Sequence, residues 1–212
     1  MNVRSSLLAL SLVAALAACD DDPAKNKAKA QVSAPAATAQ QADTAAGTKY
    51  VFSQDGSKVS FVGAKVTRKH DGSFQTFSGT VNLVGGDPEK SSVSVDIDMA
   101  SVLADEPKLT GHLKSPDLFD VQKFPKAKFV STSIKKGGAG GASHTVTGNL
   151  ELHGVTKAIS FPANVRTTDG GVDVDAEFAI NRKDFGIVYP GMPDDLIKDE
   201  VLIKLAVRAK KA

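Results

Sequence analysis

The sequence is poor in cysteine and in large aromatic side chains. It contains one cysteine, Cys19, so no disulfide can form within the chain. It has no tryptophan and only two tyrosines among 212 residues, so the bulk available to fill a core is modest. A formal net charge of +2, from 26 Lys and Arg against 24 Asp and Glu, does not call for nucleic acid or an acidic partner.

Signatures of catalysis and of metal binding are also missing. The glycine-rich run G-G-A-G-G-A at residues 137–142 lacks the Lys-Ser/Thr of a phosphate-binding loop, and no G-x-S-x-G nucleophile motif occurs. No two histidines have an i, i+4 or H-x-H spacing, so a zinc site would need ligands from separate hairpins; the histidines are His70, His112, His144 and His153. We therefore expect no catalytic residue, no metal and no cofactor, with His70 and His153 in turns.

The first 18 residues have the organisation of a secretory signal peptide. A single positive charge, Arg4, precedes an apolar run from Leu7 to Leu16, and small residues follow. The segment ends in Leu-Ala-Ala-Cys, which resembles the lipobox of bacterial lipoproteins, where Cys19 becomes the acylated first residue. Ordinary cleavage beside an unmodified cysteine is the alternative. We expect a lipid-anchored protein on the periplasmic side of the bacterial envelope, and Asp20 resembles a signal that favours the inner membrane in some Gram-negative envelopes.

The segment after the cysteine has a composition unlike that of a folded domain. Residues 20–48 contain one valine and no Leu, Ile, Met or aromatic residue, and Pro23 and Pro35 oppose a stable helix. We interpret this segment as a flexible tether with an r.m.s. reach of roughly 30 Å. The predicted organisation is a signal peptide at 1–18, acylated Cys19 with a tether at 19–48, and one folded domain at 49–212.

Alternation of apolar and polar residues predicts that the folded domain is all-β. In residues 171–180, for example, Val172, Val174 and Phe178 oppose Asp173 and Glu177. Strands are predicted near 57–67, 74–84, 92–99, 126–136, 143–152, 157–166, 171–182 and 198–209. Turn signals lie at 71–72, 85–88, 137–141, 153–154 and 169–171. Eight hairpin-linked strands favour a closed antiparallel up-and-down barrel, and a sandwich of two four-stranded sheets is the alternative.

Two connections are too long for hairpins. Residues 100–125 show a weak helical spacing, with Ser115 placed as an N-cap before Pro116, and predict a short helix. Residues 183–197 combine prolines and glycines with apolar side chains. Both segments have the character of flaps over an opening.

The interior of such a barrel is predicted to be almost uncharged. Strands of about ten residues give a wall roughly 25 Å high, which suits a long, thin, apolar molecule if the barrel is hollow. Gly79 and Gly148 fall on inward-facing positions, where they leave room or merely permit barrel curvature around a solid core. The predicted tunnel lining is Val93, Val95, Ile97, Met99, Val146, Leu150, Leu152, Ile159, Phe161, Val174, Phe178, Ile203 and Leu205.

Four segments, in order along residues 50–209, resemble the YceI-like family of bacterial periplasmic proteins. They are G-H-L-K-S-P-D-L-F-D-V-Q-K-F-P-K-A-K-F-V-S-T (111–132), G-N-L-E-L-H-G-V-T-K (148–157), N-R-K-D-F-G-I (181–187) and I-K-D-E-V-L-I (197–203). The resemblance implies an extended lipocalin-like, eight-stranded antiparallel barrel with a tunnel for polyisoprenoid lipids such as quinones or polyprenyl phosphates, and no catalytic set. It also implies that residues 112–120 form a short helix and turn beside the opening. A lipobox is an extra feature here, and Pro116 replaces the small residue typical of the family.

Charged and aromatic residues near the predicted opening are candidates for contact with a lipid head group. They are Arg182, His112, Lys114, Phe119, Phe185 and Tyr189. Arg182, with Lys183, suits phosphate or quinone oxygens, but it could instead pair with Asp184 or Asp117 and hold a flap.

The sequence leaves two functions open. The first is a carrier or sequestering protein for an isoprenoid-type amphiphile. The second is a solid barrel that acts as a protein-interaction module in envelope stress or cytochrome assembly. A filled interior and an exposed apolar patch around Phe185, Ile187 and Tyr189 would favour the second.

Overall fold

The computed structural model describes residues 22–36 and 47–212. The predicted signal peptide and Cys19 lie outside the described residues. Within the described ranges, no helix has both the length and the apolar character needed to cross a membrane.

Short and long strands dominate the described residues. The strands are β1 (Gln31–Ser33), β2 (Thr48–Ser53), β3 (Lys58–Ala64), β4 (Lys69–Phe74), β5 (Phe77–Val84), β6 (Asp87–Asp98), β7 (Val102–Ala104), β8 (Lys126–Lys136), β9 (His144–Leu152), β10 (Val155–Thr168), β11 (Gly171–Asn181), β12 (Gly191–Met192), β13 (Asp195–Leu196) and β14 (Glu200–Lys211). The helices are α1 (Pro107–Lys114) and three 3-10 turns at Met99–Ser101, Ala139–Gly141 and Arg182–Phe185.

The long strands close into an antiparallel barrel. Each pairs with the next along the chain, from β5 through β6, β8, β9, β10 and β11 to β14. Strands β2 and β3 together form one wall strand, since Lys210 of β14 lies opposite Val51 and Leu202 lies opposite Val62, on either side of a turn at 54–57. Strands β4 and β5 form the next wall strand in the same way. The predicted eight-stranded up-and-down barrel is therefore confirmed.

One predicted turn is wrong. Asp71 and Gly72 lie inside β4, opposite Val62 and Phe61, and His70 is also a strand residue. The chain reverses before β4, where Lys65 N–H donates to Arg68 O at 2.7 Å. Glycine is needed within β4 for a different reason, because a Cβ at Gly72 would clash with the ring of Phe61.

The turn between β9 and β10 is as predicted. His153 and Gly154 both have positive φ, 52° and 73°, as a two-residue hairpin turn of type I′ requires.

The predicted short helix in the 100–125 connection is confirmed, but Ser115 ends it rather than beginning it. Pro107 occupies the first turn, a position where a missing N–H costs nothing. Ser115 is extended, with ψ of 167°, because a residue that precedes proline is disfavoured in the helical region. Its N–H and Oγ both donate to His112 O, at 3.0 and 2.8 Å, and so cap the C-terminal end.

Part of the predicted tether packs on the barrel. Strand β1 pairs antiparallel with β10, so that Val32 lies opposite Ile159. The side-chain amide of Asn149 donates to Ala36 O and its oxygen accepts from Ala36 N–H. Composition did not reveal this, because the segment is held mainly by backbone hydrogen bonds to a strand edge and needs few apolar side chains.

The barrel has a closed end and a flap end. The closed end carries the turns at 85–86, 137–143 and 169–170, and a core cluster fills it. The flap end carries α1, the β9–β10 turn and the connection from 182 to 199. The closed-end cluster comprises Tyr50, Phe52, Val59, Phe77, Val81, Leu83, Val172, Val207 and Ala209.

Candidate functional site: the barrel cavity

A cavity of about 250 Å³ lies between the closed end and the flap end. Ten of the thirteen predicted lining residues border it: Val95, Ile97, Met99, Leu150, Leu152, Ile159, Phe161, Phe178, Ile203 and Leu205. The other three lie elsewhere in the core. Val93 packs on the closed-end cluster, Val146 is buried in a cluster with Phe161 and Phe178, and Val174 packs against both.

The cavity is long and narrow. On β14 the residues from Val201 to Val207 border it at every second position, a distance of about 20 Å along the strand. Its volume is below the roughly 300–1,000 Å³ of sites for drug-sized ligands. Such a space suits a single chain better than a fused ring system.

Three glycines keep bulky rings out of the middle of the barrel. A Cβ at Gly79 would clash with the ring of Phe52, just as one at Gly72 would clash with Phe61. A Cβ at Gly148 would likewise clash with the ring of Phe129. Each ring therefore lies flat on a neighbouring strand while its other face borders the cavity. The room predicted at Gly79 and Gly148 exists, but an aromatic ring of the wall occupies it.

Apolar side chains of the flaps cover one end of the cavity. Leu109 and Leu113 of α1 border it, together with Phe119 from the following turn. The ring of Phe119 lies 6.1 Å from those of both Phe61 and Phe74, centroid to centroid. Phe119 was predicted at the rim, and the structure places it against the cavity.

The polar residues that border the cavity towards the flap end are Lys65, His70 and Arg182. Ser60 and Asp71 border it as well, but they alternate along their strands with Phe61 and Gly72, which lie on the cavity face, so their side chains lie on the other face. His70 Nδ1 lies 3.0 Å from Asp105 Oδ1, and Lys65 Nζ lies 3.3 Å from Asp195 Oδ2. His70 was not predicted to border the cavity, because a turn predicted at 71–72 hid the inward alternation of β4.

The guanidinium of Arg182 is buried and holds the 182–199 connection in place. It donates to the backbone oxygens of Ile187 (2.6 Å), Lys198 (3.1 Å) and Ile197 (3.4 Å). It also donates to Asp199 Oδ1 at 3.2 Å, so Asp199 is its acidic partner rather than Asp184 or Asp117. Burial lowers the pKa of Arg182, and the charge of Asp199 opposes that effect. The group nevertheless stays charged.

The remaining rim candidates do not border the cavity: they are His112, Lys114, Phe185 and Tyr189. His112 Nε2 lies 3.0 Å from Asp117 Oδ2, and its ring meets that of Tyr189 edge-on at 5.1 Å. Lys114, on the last turn of α1, is half-buried and does not border the cavity. Phe185 is fully buried in the cluster that contains Phe161 and Phe178, so it is a core residue rather than a rim residue.

Two features expected of a solid interaction module are not found among the described residues. The interior is hollow, and Phe185 and Ile187 are 0% and 4% exposed, whereas Val188, Met192 and Leu196 of the same connection are exposed. In the same part of the chain, no three His, Cys, Asp or Glu side chains converge as a metal site would require.

The protein is thus an eight-stranded antiparallel barrel with an apolar interior and a covered mouth. Barrels of this size and lining form the class that can hold one small apolar ligand. The family model of the YceI-like domain matches residues 50–209. The chain belongs to the YceI-like family.

Curated relatives agree with this assignment. A UPF0312 protein of Pseudomonas putida (strain F1) is 37% identical over 139 residues, which cover 63% of this chain and 71% of the relative. A UPF0312 protein of Pseudomonas syringae pv. tomato is 34% identical over 160 residues, covering 71% and 82% of the two chains.

Solved structures share the fold. BcnA of Burkholderia cenocepacia is 28% identical, with a TM-score of 0.66 over 75% of this chain and 99% of its own. A polyisoprenoid binding domain from Saccharophagus degradans, implicated in plant cell wall breakdown, is 18% identical, with a TM-score of 0.62 over 78% and 99% of the two chains.

Proposed function

We propose that the protein binds one long-chain isoprenoid-type amphiphile in the barrel cavity and so sequesters or carries it. The observation that carries the proposal is the distribution of polarity along the cavity. The walls are apolar over about 20 Å, and Lys65, His70 and Arg182 border the cavity towards the flap end. The polyisoprenoid binding domain of S. degradans has the same fold, which supports the choice of ligand class.

The geometry gives the ligand an orientation. The tail would lie along Leu205, Ile203 and Phe178, where its burial contributes about 25 cal/mol for each Å² of apolar surface removed from water. The head would lie near Lys65 and His70. Polyprenyl phosphates and isoprenoid quinones both have this form. Because four of the five N–H groups of Arg182 already donate to protein oxygens, that residue would support the mouth rather than select the head.

The proposed location is the periplasmic side of a bacterial envelope, with Cys19 as the lipid anchor. Support comes from the signal-peptide pattern and the Leu-Ala-Ala-Cys motif. Asp20 favours the inner membrane in envelopes that use the acidic sorting rule. The proposed role is that of a binding protein rather than an enzyme.

The decisive experiment identifies what the cavity holds. The Cys19→Ser chain would be secreted with its own signal peptide, purified without detergent, extracted with organic solvent and analysed by mass spectrometry beside the native mass of the intact protein. We expect one prenyl-chain lipid per molecule. A protein that is empty, and that takes up neither geranylgeranyl phosphate nor an isoprenoid quinone, would contradict the proposal and favour the interaction module.

A matched pair of variants locates the ligand. Leu205→Trp places an indole in the cavity, whereas Lys204→Trp places it on the exposed face of the same strand. Since the chain has no tryptophan of its own, the fluorescence of each variant also reports whether the new ring is buried. We expect Leu205→Trp to lower lipid occupancy at least tenfold and Lys204→Trp to leave it unchanged. Full occupancy in a folded Leu205→Trp protein would show that the lipid lies elsewhere.

A further inference from the structure

The wall of the barrel contains a slit between β10 and β11. These strands pair only from Asn164 opposite Asp175 to Thr168 opposite Gly171, which is their half near the closed end. Towards the flap end no pairing between them continues, although β11 remains paired with β14 up to Asn181.

The N-terminal segment fills this slit. Strand β1 pairs with β10 through three residue pairs, from Gln31 opposite Ser160 to Ser33 opposite Ala158. On the other side, Ala179 of β11 donates its N–H to Ala28 O and accepts from Ala30 N–H, both at 2.8 Å. Residues 28–33 thus bridge two strands that do not meet there.

The residues behind the segment belong to the ligand cavity. Ala30 and Val32 pack against the cluster that contains Ile159, Phe161 and Phe178, and all three of these border the cavity. The rings of Phe161 and Phe178 stack at 4.2 Å across the slit. Movement of residues 28–33 away from the wall would therefore expose the cavity from the side.

The segment is held by short pairings. It has three register pairs with β10, whereas β11 has eleven with β14. The ion pair of Lys29 with Glu200, and that of the neighbouring Lys27 with Glu177, are solvent-exposed, and such pairs contribute little to stability. Short, solvent-exposed pairings open locally more readily than long ones, so this segment would detach before the long wall strands β10, β11 and β14.

We propose that the slit between β10 and β11 is a lateral portal for the lipid chain, and that residues 28–33 are its removable seal. The inference rests on the proposed binding of a chain lipid. The seal is a feature of this chain outside the domain that defines the family, because the family match begins at residue 50. A lateral entry lets a long chain slide in sideways while the flaps at the mouth remain packed.

A reversible disulfide lock between the seal and β10 tests the proposed portal. In the Cys19→Ser chain, Gln31→Cys with Ser160→Cys joins the seal to β10, since opposed residues in an antiparallel pair lie about 4.5–5.5 Å apart and disulfides span about 4.4–6.8 Å. The control is Glu151→Cys with Thr156→Cys, opposed residues that join β9 to β10 away from the slit. Uptake of the anthranilate ester of geranylgeraniol would be followed by stopped-flow fluorescence in the oxidised and reduced states.

We expect oxidation of the lock to slow uptake and release at least tenfold, with the equilibrium affinity unchanged and full recovery on reduction. The control pair should show no difference between the two states. Equal rates of probe uptake and release in the oxidised and reduced states of the lock would contradict the portal but not the proposed lipid binding. Failure of every reduced protein to take up the probe would overturn both proposals.

A second variant loosens residues 28–33 instead of holding them in place. Ala30→Pro removes the N–H that donates to Ala179 O and should loosen the seal in the full chain. We expect probe release to become at least fivefold faster while thermal unfolding remains cooperative. Release at the unaltered rate from a folded Ala30→Pro protein would contradict the role of this segment.

Discussion

Replacement of Arg182 by methionine tests whether the buried guanidinium holds the flap or serves the lipid. The change removes the donor of three backbone oxygens, on Ile187, Ile197 and Lys198. At about 1 kcal/mol for each lost hydrogen bond, the free energy of unfolding should fall by about 3 kcal/mol. No further cost is added for Asp199, because its side chain is 41% exposed and water can solvate the carboxylate.

The expected loss is large enough to measure in two ways. For a domain of this size it corresponds to a fall in Tm of about 6–12 °C, which circular dichroism during heating would detect. Chemical denaturation gives the free energy directly. Lys183→Met is the matched control, because Lys183 contacts Asp199 Oδ2 at 2.8 Å from a half-exposed position and should contribute less than about 1 kcal/mol.

Two outcomes would refute this reasoning. A loss below about 1 kcal/mol would show that the three carbonyl contacts do not hold the flap. An Arg182→Met protein of unchanged stability that no longer retains lipid would assign the guanidinium to the head group instead.

The cavity and the core give further predictions. Gly79→Ala should push the ring of Phe52 into the cavity, with a loss of about 1–3 kcal/mol and weaker lipid retention, whereas Gly170→Ala, at a turn away from the cavity where an added Cβ meets no atom within 4 Å, should change neither stability nor lipid retention. Denaturant titration and extracted lipid per protein would measure both effects, and equal behaviour of the two variants would contradict the role given to the Phe–Gly pair. Phe185→Ala should cost about 3–5 kcal/mol because the ring is fully buried, while Val188→Ala, at a residue 63% exposed, should cost less than about 0.5 kcal/mol. Similar losses for Phe185→Ala and Val188→Ala would show that the 3-10 turn is not anchored in the core.

Alternation predicted the barrel well because the wall strands bury one face and expose the other. In β11 the apolar positions Val172 and Phe178 are buried as expected. The alternation predicts on which face of the sheet a side chain lies, but not its position along the barrel axis. Val93 therefore shares the parity of the cavity residues, although it packs on the closed-end cluster.

The missed features depend on contacts between distant parts of the chain. Asp199 is the partner of Arg182 from seventeen positions away, whereas sequence proximity suggested Asp184. Gly72 was interpreted as a turn residue, because its need to accommodate Phe61 appears only once the strands are in register. The seal of residues 28–33 was missed because strand addition to an open edge leaves little trace in composition.

The placement of the N-terminal segment also determines how the molecule would sit on a membrane. Ala24 is 1% exposed, and Lys27 contacts Glu177 on the side of the barrel rather than at either end. Three residues from Cys19 to Asp22 span at most about 11 Å, far less than the reach of a free tether. With Cys19 acylated as proposed, the barrel would rest on its flank against the bilayer, with its rotation restricted and the β10–β11 side turned towards the lipid. Such an orientation would make each molecule exchange lipid with the patch of membrane directly beneath it.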